Sequence, residues 1–470
     1  MYSSQSEILS VIEYFARTKP GETAIIHPSK TFDYAALHAM ILALSRKLAD
    51  RLPQGGRIVI DINDPFIALM TIIATAASGH SWMKAGAPAE PAANSLRVTD
   101  QPGPGDGTPT AMIDKSWFEP SPAGEMRAVP NPWMLAQSSG TTGKKKIIPL
   151  SEANILNRAL AHQIGYGTPI TSARVACFAR PNFEFGLGCN LSTLVRGGTL
   201  VFCEPDFISA DASGAQHVFA SVSQFNTALK RLRFGAQFPT IQSVLVAGSH
   251  LTAASIKRFR EHSKAKLFLS YGATEMGPVA TGDVDVIRKA NKYAVGFIAP
   301  WVRHAVIPDA AGDSGMGEIR FQTPEMTAAA DLLRDGWLHP GDVGKVDENG
   351  LLIIQGRTDE RINLGGVKVS IQESEELLLA LDGVTDAAVF LVPDTVGADQ
   401  LYGAIVCADD VDFEDLMKRC SERLGHNAPK FLAKVDFIPR TESGKIERYK
   451  LTTLFTANIQ QAKLILKSLH

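Results

Sequence analysis

The sequence predicts an α/β fold, with a doubly wound body around a largely parallel sheet and a smaller α+β segment behind it. Three observations carry that prediction. Strand and helix patterns alternate through the opening of the chain. In the middle, the apolar runs Val244-Leu245-Val246-Ala247 and Leu267-Phe268-Leu269-Ser270 each lead into a glycine turn, where open α/β sheets hold their ligands. The last third changes character to hairpins, followed by a compact segment of roughly 110 residues, a reasonable domain size.

In chain order, residues 6–17 have helical spacing and residues 23–26 read as a short strand. Residues 34–52 form a long Ala/Leu-rich amphipathic helix that stops before Pro53-Gln54-Gly55-Gly56, and residues 57–62 return as a strand. Between 85 and 132 the pattern dissolves into Pro, Gly and Ala, as in Gln101-Pro102-Gly103-Pro104-Gly105-Asp106-Gly107, which predicts a surface connection. Order resumes at Trp133-Met134-Leu135-Ala136, a strand that delivers a glycine-rich loop, and Ser151 can cap the helix after it. Residues 175–178 are a buried strand. Phe183-Glu184-Phe185-Gly186-Leu187-Gly188 then opens a helix whose small residues would let a ligand approach, although plain helix packing explains them equally well.

The second apolar run ends in Tyr271-Gly272-Ala273-Thr274-Glu275. An aromatic face, a hydroxyl and a carboxylate at one strand end suit a base, a phosphate and a Mg²⁺ ion; a capped strand end would use the same residues. Residues 317–321, 344–347 and 351–354 alternate as antiparallel strands, with Asn349-Gly350 as a tight turn and Asp342 just ahead. Gly356-Arg357-Thr358-Asp359 is expected to break the strand, and the domain boundary falls there. The chain closes on a polar loop, Pro439-Arg440-Thr441-Glu442-Ser443-Gly444-Lys445-Ile446-Glu447-Arg448.

The glycine-rich loop is Ser138-Ser139-Gly140-Thr141-Thr142-Gly143-Lys144-Lys145-Lys146. Glycine lets backbone N–H groups turn inward around oxygens, hydroxyls add neutral donors and lysines add charge, so the loop suits a polyphosphate. A solvated linker could share that composition. Walker A spacing is absent, since only Thr141 and Thr142 separate Gly140 from Gly143, and no dinucleotide fingerprint opens a helix.

Composition excludes several classes. A net charge of −2 and the lack of a basic block argue against nucleic acid as a partner. The most apolar run, near residues 67–77, meets Gly79-His80 and is too short to span a bilayer. Cys177, Cys189, Cys203, Cys407 and Cys420 are scattered and out of metal spacing, which fits a reducing compartment. With no secretory signal visible at the N-terminus, the expectation is a cytoplasmic protein.

Together the motifs resemble the adenylate-forming enzymes, the superfamily of acyl-CoA synthetases, peptide-synthetase adenylation domains and luciferases. The resemblance rests on the Ser138 to Lys146 loop, Tyr271-Gly272-Ala273-Thr274-Glu275, Gly341-Asp342, Gly356-Arg357-Thr358-Asp359, Gly365-Gly366-Val367-Lys368 and the terminal Gly444-Lys445 loop. These occur in order over nearly the whole chain. It implies a large N-terminal domain, residues 1–356, of doubly wound α/β subdomains with a small barrel-like β part, and a mobile C-terminal domain, residues 357–470. It also implies a two-step reaction. A carboxylate attacks the α-phosphate of ATP to give an acyl-adenylate and pyrophosphate, and a thiol then displaces AMP to give a thioester.

Carried over by motif, Ser138, Ser139, Gly140, Thr141, Thr142, Gly143 and Lys146 would cradle the β- and γ-phosphates. Thr274 would contact the α-phosphate and Glu275 would help hold Mg²⁺. Tyr271 and Gly272 would lie against adenine with Gly248 on the other wall, Asp342 would accept from the ribose, and Arg357 would sit near ribose and phosphates. Lys445 would bridge acid and ATP. Rotation about Asp359 would then exchange Lys445 for Gly365, Gly366 and Lys368, letting a slim pantetheine arm pass, although an ordinary β-turn would use the same glycines.

The chain departs from the family pattern at Lys145, Ile147 and Pro340, and its 85–133 stretch is abbreviated. None of these removes a catalytic group. Phe183, Glu184, Phe185 and Gly186 resemble the acid pocket of benzoate-type CoA ligases, which favours an aryl or short-to-medium acyl acid. Glu184 also stands near the position where amino-acid-activating domains place an aspartate. Pointing into the pocket it would favour an amino or other cationic acid; facing solvent or Arg180 it would not. Coenzyme A is the expected acceptor, with the phosphopantetheine arm of an acyl or peptidyl carrier protein as the alternative and a nucleotide-binding regulator without turnover as the third reading. A monomer or homodimer is expected.

Overall fold

The computed structural model describes residues 6–462 except 88–93, 103–107, 120–126, 139–145, 167–172, 309–314, 328, 359–360, 365–366, 394–398, 408–411, 426–427 and 442–443. A six-stranded sheet runs in the order Thr110–Met112, Ser95–Thr99, Arg57–Asp61, Ser81–Lys84, Met134–Ser138, Lys146–Leu150. Its neighbours are parallel except for the last pair. The apolar run seen in the sequence is the helix Pro65–Ala77, buried almost all round. Asp64 caps it, accepting from the N–H of Phe66 at 2.8 Å and of Ile67 at 3.0 Å. A helix apolar on every side belongs in a core, and this one lies in the largest apolar cluster.

The 85–132 stretch is more than a surface connection. Ser95–Thr99 is a fully buried strand between Arg57–Asp61 and Thr110–Met112. Ser95-Leu96-Arg97-Val98-Thr99 does alternate polar and apolar, but over only five residues set among Pro-, Gly- and Ala-rich text, and an arginine at its centre reads as a solvated position although the strand is covered on both faces. The guanidinium is accommodated by an ion pair to Asp61 at 2.8 Å.

The second sheet has a parallel core in the order Lys266–Ala273, Ser243–Ala247, His217–Ser221, Arg174–Cys177, Thr199–Val201, Thr23–His27. From Arg174–Cys177 the chain steps outward to Thr199–Val201 and then returns to the other side, at His217–Ser221. The strand order therefore reverses between Arg174–Cys177 and His217–Ser221, which opens a crevice beyond their carboxyl ends. Side chains alternate across this sheet. Val175, Phe219, Leu245 and Phe268 meet Cys189 of the helix Glu184–Leu194, whereas Ala176, Val218, Val244 and Val246 meet Phe225 of the helix Val222–Arg231.

Antiparallel strands Gly277–Asp283, Ala294–Ile298, Leu351–Arg357, Asp342–Val346 and Gly317–Gln322 continue the same sheet from Lys266–Ala273. The β part expected as a small barrel is thus joined to the parallel core by hydrogen bonds. Leu351–Arg357 also runs through the Gly356-Arg357 pair expected to break it, because Val343 and Asp342 pair with those two residues. Further on, the strands Val384–Pro393, Asp399–Cys407 and Phe431–Lys434 form a separate sheet. Its two faces bury Leu378, Val389 and Leu416 on one side and Phe390, Leu451 and Phe455 on the other. Among the described residues no helix is long and apolar enough to cross a membrane.

Candidate active site

Four segments leave the carboxyl ends of the parallel strands along one edge: residues 178–184, 221–223, 248–250 and 271–277. The first carries the predicted acid-pocket residues. Phe183 is the N-cap position of the helix Glu184–Leu194 and offers no side-chain cap. Gly186 follows because the first turn lies on the Arg180 carbonyl, and a Cβ there would come within 2.0 Å of that oxygen. The Lys84 ammonium lies 4.5 Å from the Phe183 ring centroid, and the Phe185 ring meets His162 edge-on at 5.5 Å.

Glu184 faces neither solvent nor Arg180. Its Oε1 lies 2.9 Å from Nη1 of Arg158, whose side chain is fully buried. The same Nη1 donates to the Thr274 carbonyl at 2.9 Å, while Nε and Nη2 donate to the Glu325 carbonyl at 3.2 and 2.8 Å. One guanidinium thus ties the pocket helix to the Thr274-Glu275 turn and the 323–327 loop. Burial pushes the Glu184 carboxyl above the usual carboxylate range against the pull of Arg158, and the Glu275 charge adds to that push. Glu184 thus has its counter-charge within the protein, in Arg158.

Sequence reasoning missed Arg158. A usable signal existed, since Ile155, Arg158, Ala159 and His162 fall at i, i+3, i+4 and i+7 on one stripe of the helix Glu152–Tyr166, and all four are buried. His162 shares that stripe as a fully buried imidazole whose Nδ1 has no partner among the described residues. Burial, reinforced by Arg158, draws its pKa from 6.5 down to about 4. The folded chain therefore binds fewer protons than the unfolded chain between those values. The stability this represents, about 3 kcal/mol, is complete above pH 6.5 and lost as pH falls towards 4. Urea midpoints should drop across that window, and His162→Gln should make the drop shallower; an unchanged slope would refute the assignment.

At the end of Lys266–Ala273, Tyr271 donates its hydroxyl to Asp342 Oδ2. Burial first, then the Asp342 charge, drives the phenol pKa far above its ordinary value, so the hydroxyl stays a donor. Asp342 Oδ1 in turn lies 3.5 Å from Arg357 Nη1, and the sheet register sets these two residues opposite each other. Thr274 and Glu275 are half-buried, and the Glu275 carbonyl accepts from the Thr327 N–H at 2.8 Å. Gly248, at φ +90°, bends the chain after Ser243–Ala247, and Gly272 pairs with Pro278 within the strand Lys266–Ala273.

The predicted phosphate loop joins two paired strands, with Ser138 opposite Lys146. Ser139, Gly140, Thr141, Thr142 and Gly143 lie outside the described residues, as do Asp359, Gly365 and Gly366. Lys368 is described only as part of the strand Val367–Ser370.

Lys445 arrives from the far end of the chain. Its loop is closed by Thr441 N–H to the Lys445 carbonyl at 2.8 Å, by Lys445 N–H to Thr441 Oγ1 at 3.1 Å, and by Arg440 Nη1 to the Gly444 carbonyl at 3.0 Å. Gly444, at φ +86°, sits so close to Ser223 that a Cβ would lie 2.1 Å from the serine Cβ. Ser223 follows the His217–Ser221 strand, so the Lys445 loop is seated at the crevice where the strand order reverses.

Residues 80–329 match the AMP-binding enzyme family, and residues 373–445 match the AMP-binding enzyme C-terminal domain. The chain belongs to the adenylate-forming, AMP-binding enzymes. This AMP-binding enzyme is 27% identical over 477 residues to feruloyl-CoA synthase of an Amycolatopsis species, covering 92% of this chain and 95% of that one. It is 27% identical over 354 residues to 4-coumarate–CoA ligase-like 2 of Arabidopsis thaliana, spanning 69% of this chain but 62% of the relative. Among solved structures it is similar to o-succinylbenzoate CoA synthetase of Bacillus subtilis with its acyl-adenylate intermediate, at TM-score 0.82 and 20% identity over 94% of this chain and 97% of that one. ATP-bound MatB of Rhodopseudomonas palustris gives TM-score 0.80 and 20% identity over 95% and 99%. These likenesses establish the fold, a large N-terminal domain with a smaller C-terminal one.

Proposed function

We propose that this AMP-binding enzyme uses ATP to activate an aryl or short-to-medium acyl carboxylate that carries no second charged group, and transfers the acyl group to coenzyme A. The observation that carries the reading is the meeting, on one sheet edge, of the Tyr271–Asp342–Arg357 chain, the Thr274-Glu275 turn and the Lys445 loop. CoA ligase names among the relatives support it, as does a B. subtilis neighbour solved with ATP and magnesium.

In the first step an oxygen of the acid carboxylate attacks the α-phosphorus and pyrophosphate leaves. In the second the thiol sulfur attacks the acyl carbon, AMP leaves with the bonding electrons, and the thiol proton passes to solvent. No covalent enzyme intermediate is required, so the residues act by orientation and charge. Lys445 neutralises the two anions brought together, Thr274 donates to the α-phosphate, and Asp342 accepts from the ribose while Tyr271 holds it in place. The Glu275 carboxylate, unlike its backbone carbonyl, has no hydrogen-bond or ion-pair partner among the described residues, which fits a group reserved for a hard cation. Mg²⁺ held there would draw charge from the phosphate oxygens as pyrophosphate departs.

The substrate class follows from the pocket. Arg158 and Glu184 cancel each other, so neither is offered to an amine or to a second carboxylate, and Phe183 and Phe185 supply aromatic surface. The test is pyrophosphate release with ATP and Mg²⁺ over aryl, fatty, hydroxy, dicarboxylic and amino acids, with and without CoA. Release with aryl or short acyl acids and appearance of the acyl-CoA is the expected result. Release without a CoA product would move the acceptor to a carrier protein, a preference for amino acids would overturn the pocket reading, and no release with any acid despite ATP binding would favour the regulator.

A further inference from the structure

We propose that His250 is a positioning residue for the first step: through Gln372 and Glu376 it latches the C-terminal segment in the orientation that seats the Lys445 loop at the crevice. The inference rests on the two-step reading above but names a contact that reading does not need.

His250 lies on the loop that follows the strand Ser243–Ala247, two residues beyond Gly248. Its Nε2 is 2.7 Å from Glu376 Oε1, and its Nδ1 is 3.0 Å from Gln372 Nε2. Both partners belong to the helix Ile371–Leu379, and Gln372 Nε2 also reaches Glu376 at 3.4 Å. An amide nitrogen can only donate, so Nδ1 accepts and the ring proton sits on Nε2, donated to Glu376. The neutral ring thus satisfies both bonds. A protonated ring would strengthen the Glu376 contact and require Gln372 to turn its amide oxygen towards Nδ1, which the same side chain can supply.

The groups packed around the pair favour it. Arg288, whose Nη2 donates to the Leu251 carbonyl at 3.2 Å, lies on the N-terminal side. Tyr293 reaches Glu373 of the same C-terminal helix at 3.4 Å, and Lys292 lies beside Tyr293. Burial works against the Glu376 carboxylate, but His250, Gln372 and Arg288 together hold it below its usual range. The latch therefore sees a carboxylate throughout the neutral range.

The C-terminal segment touches the parallel-strand edge at two described places, His250 after one strand and Ser223 after its neighbour, and Lys445 adjoins the second. The helix Ile371–Leu379 directly follows the hairpin of Arg361–Leu364 and Val367–Ser370. For that hairpin to take the place of the Lys445 loop, the helix behind it must swing away and the His250–Glu376 contact must break. Losing the contact should weaken the first step and leave the second alone.

The test uses the full chain with His250→Ala, Glu376→Gln, the double variant and His250→Gln. Acid-dependent pyrophosphate release and thioester formation from a supplied acyl-adenylate with CoA are measured separately. Both side chains are 28% exposed, so each single change should slow release about tenfold. Thioester formation should hold within about twofold, the double variant should be no slower than the worse single, and His250→Gln, which keeps a donor, should recover much of the rate. Equal slowing of both steps, additive losses, or a rise only in the KM for ATP would overturn the latch. Amide hydrogen exchange in residues 371–379 gives a readout independent of activity. His250→Ala should speed it, and unchanged exchange would overturn the proposal. A wild-type chain that releases no pyrophosphate with any acid yet shows faster exchange in His250→Ala would sink the functional reading and leave the latch standing.

Discussion

Lys445→Ala should slow adenylate formation about 10²–10³-fold while sparing thioester formation from a supplied acyl-adenylate. The lysine is exposed, and its ammonium has no hydrogen bond or ion pair among the described residues, so its removal should not disturb folding. Its loop, by contrast, is tightly held. Three hydrogen bonds close it, and Gly444 presses on Ser223 with no room for a side chain. A free cation on a fixed loop at the crevice is preorganised for charge that appears only when acid and triphosphate meet. Removing one such group costs about 10²–10³ in rate when the charge develops in that step. Pyrophosphate release should fall by that factor with the urea midpoint unchanged. Comparable losses in both half-reactions would show that Lys445 does not leave between them, and the exchange of loops would have to be abandoned.

What could be read from the sequence was local. The strands Ser243–Ala247 and Lys266–Ala273 stood out because each is an apolar run stopped by glycine, and their carboxyl ends hold Gly248 and Tyr271 as expected. Asp342 and Arg357 were each visible in a motif, but only the antiparallel register sets them opposite one another. Ser95–Thr99 was lost because turn-rich flanks and Arg97 disguise a strand buried on both faces. Contacts across long separations left no local trace. Neither the His250–Glu376 pair nor the clamp of Arg158 on Thr274, Glu184 and Glu325 could be inferred from residues whose nearest neighbours in sequence say nothing about them. An arginine in an Ala/Leu-rich helix ordinarily reads as a solvated face, and only its place on the apolar stripe argues otherwise.

Arg158→Met should be among the most destabilising single changes in the chain. Arg158 is fully buried and Glu184 nearly so, and the substitution would leave a carboxylate without its counter-charge and the carbonyls of Thr274 and Glu325 without their donors. Breaking a buried pair from one side costs about 3–5 kcal/mol, far more than the net worth of the intact pair. Glu184→Gln should be milder, because an amide oxygen can still accept from the guanidinium. Arg158→Met combined with Glu184→Leu should be less damaging than Arg158→Met alone, because the stranded charge is gone. It should still fall short of wild type by about 1–3 kcal/mol, since the two carbonyls remain unpaired. The same clamp predicts how activity changes in whatever fraction stays folded. A loosened Thr274 turn should lower kcat for pyrophosphate release, and Glu184→Gln, which keeps that turn clamped, should act chiefly on the KM for the acid. Urea midpoints and the two kinetic constants across the four proteins would decide it. A double variant as unstable as Arg158→Met, or a kcat that survives the loss of Arg158, would show that the guanidinium fills space rather than joining the pocket to the turn where the phosphate chemistry takes place.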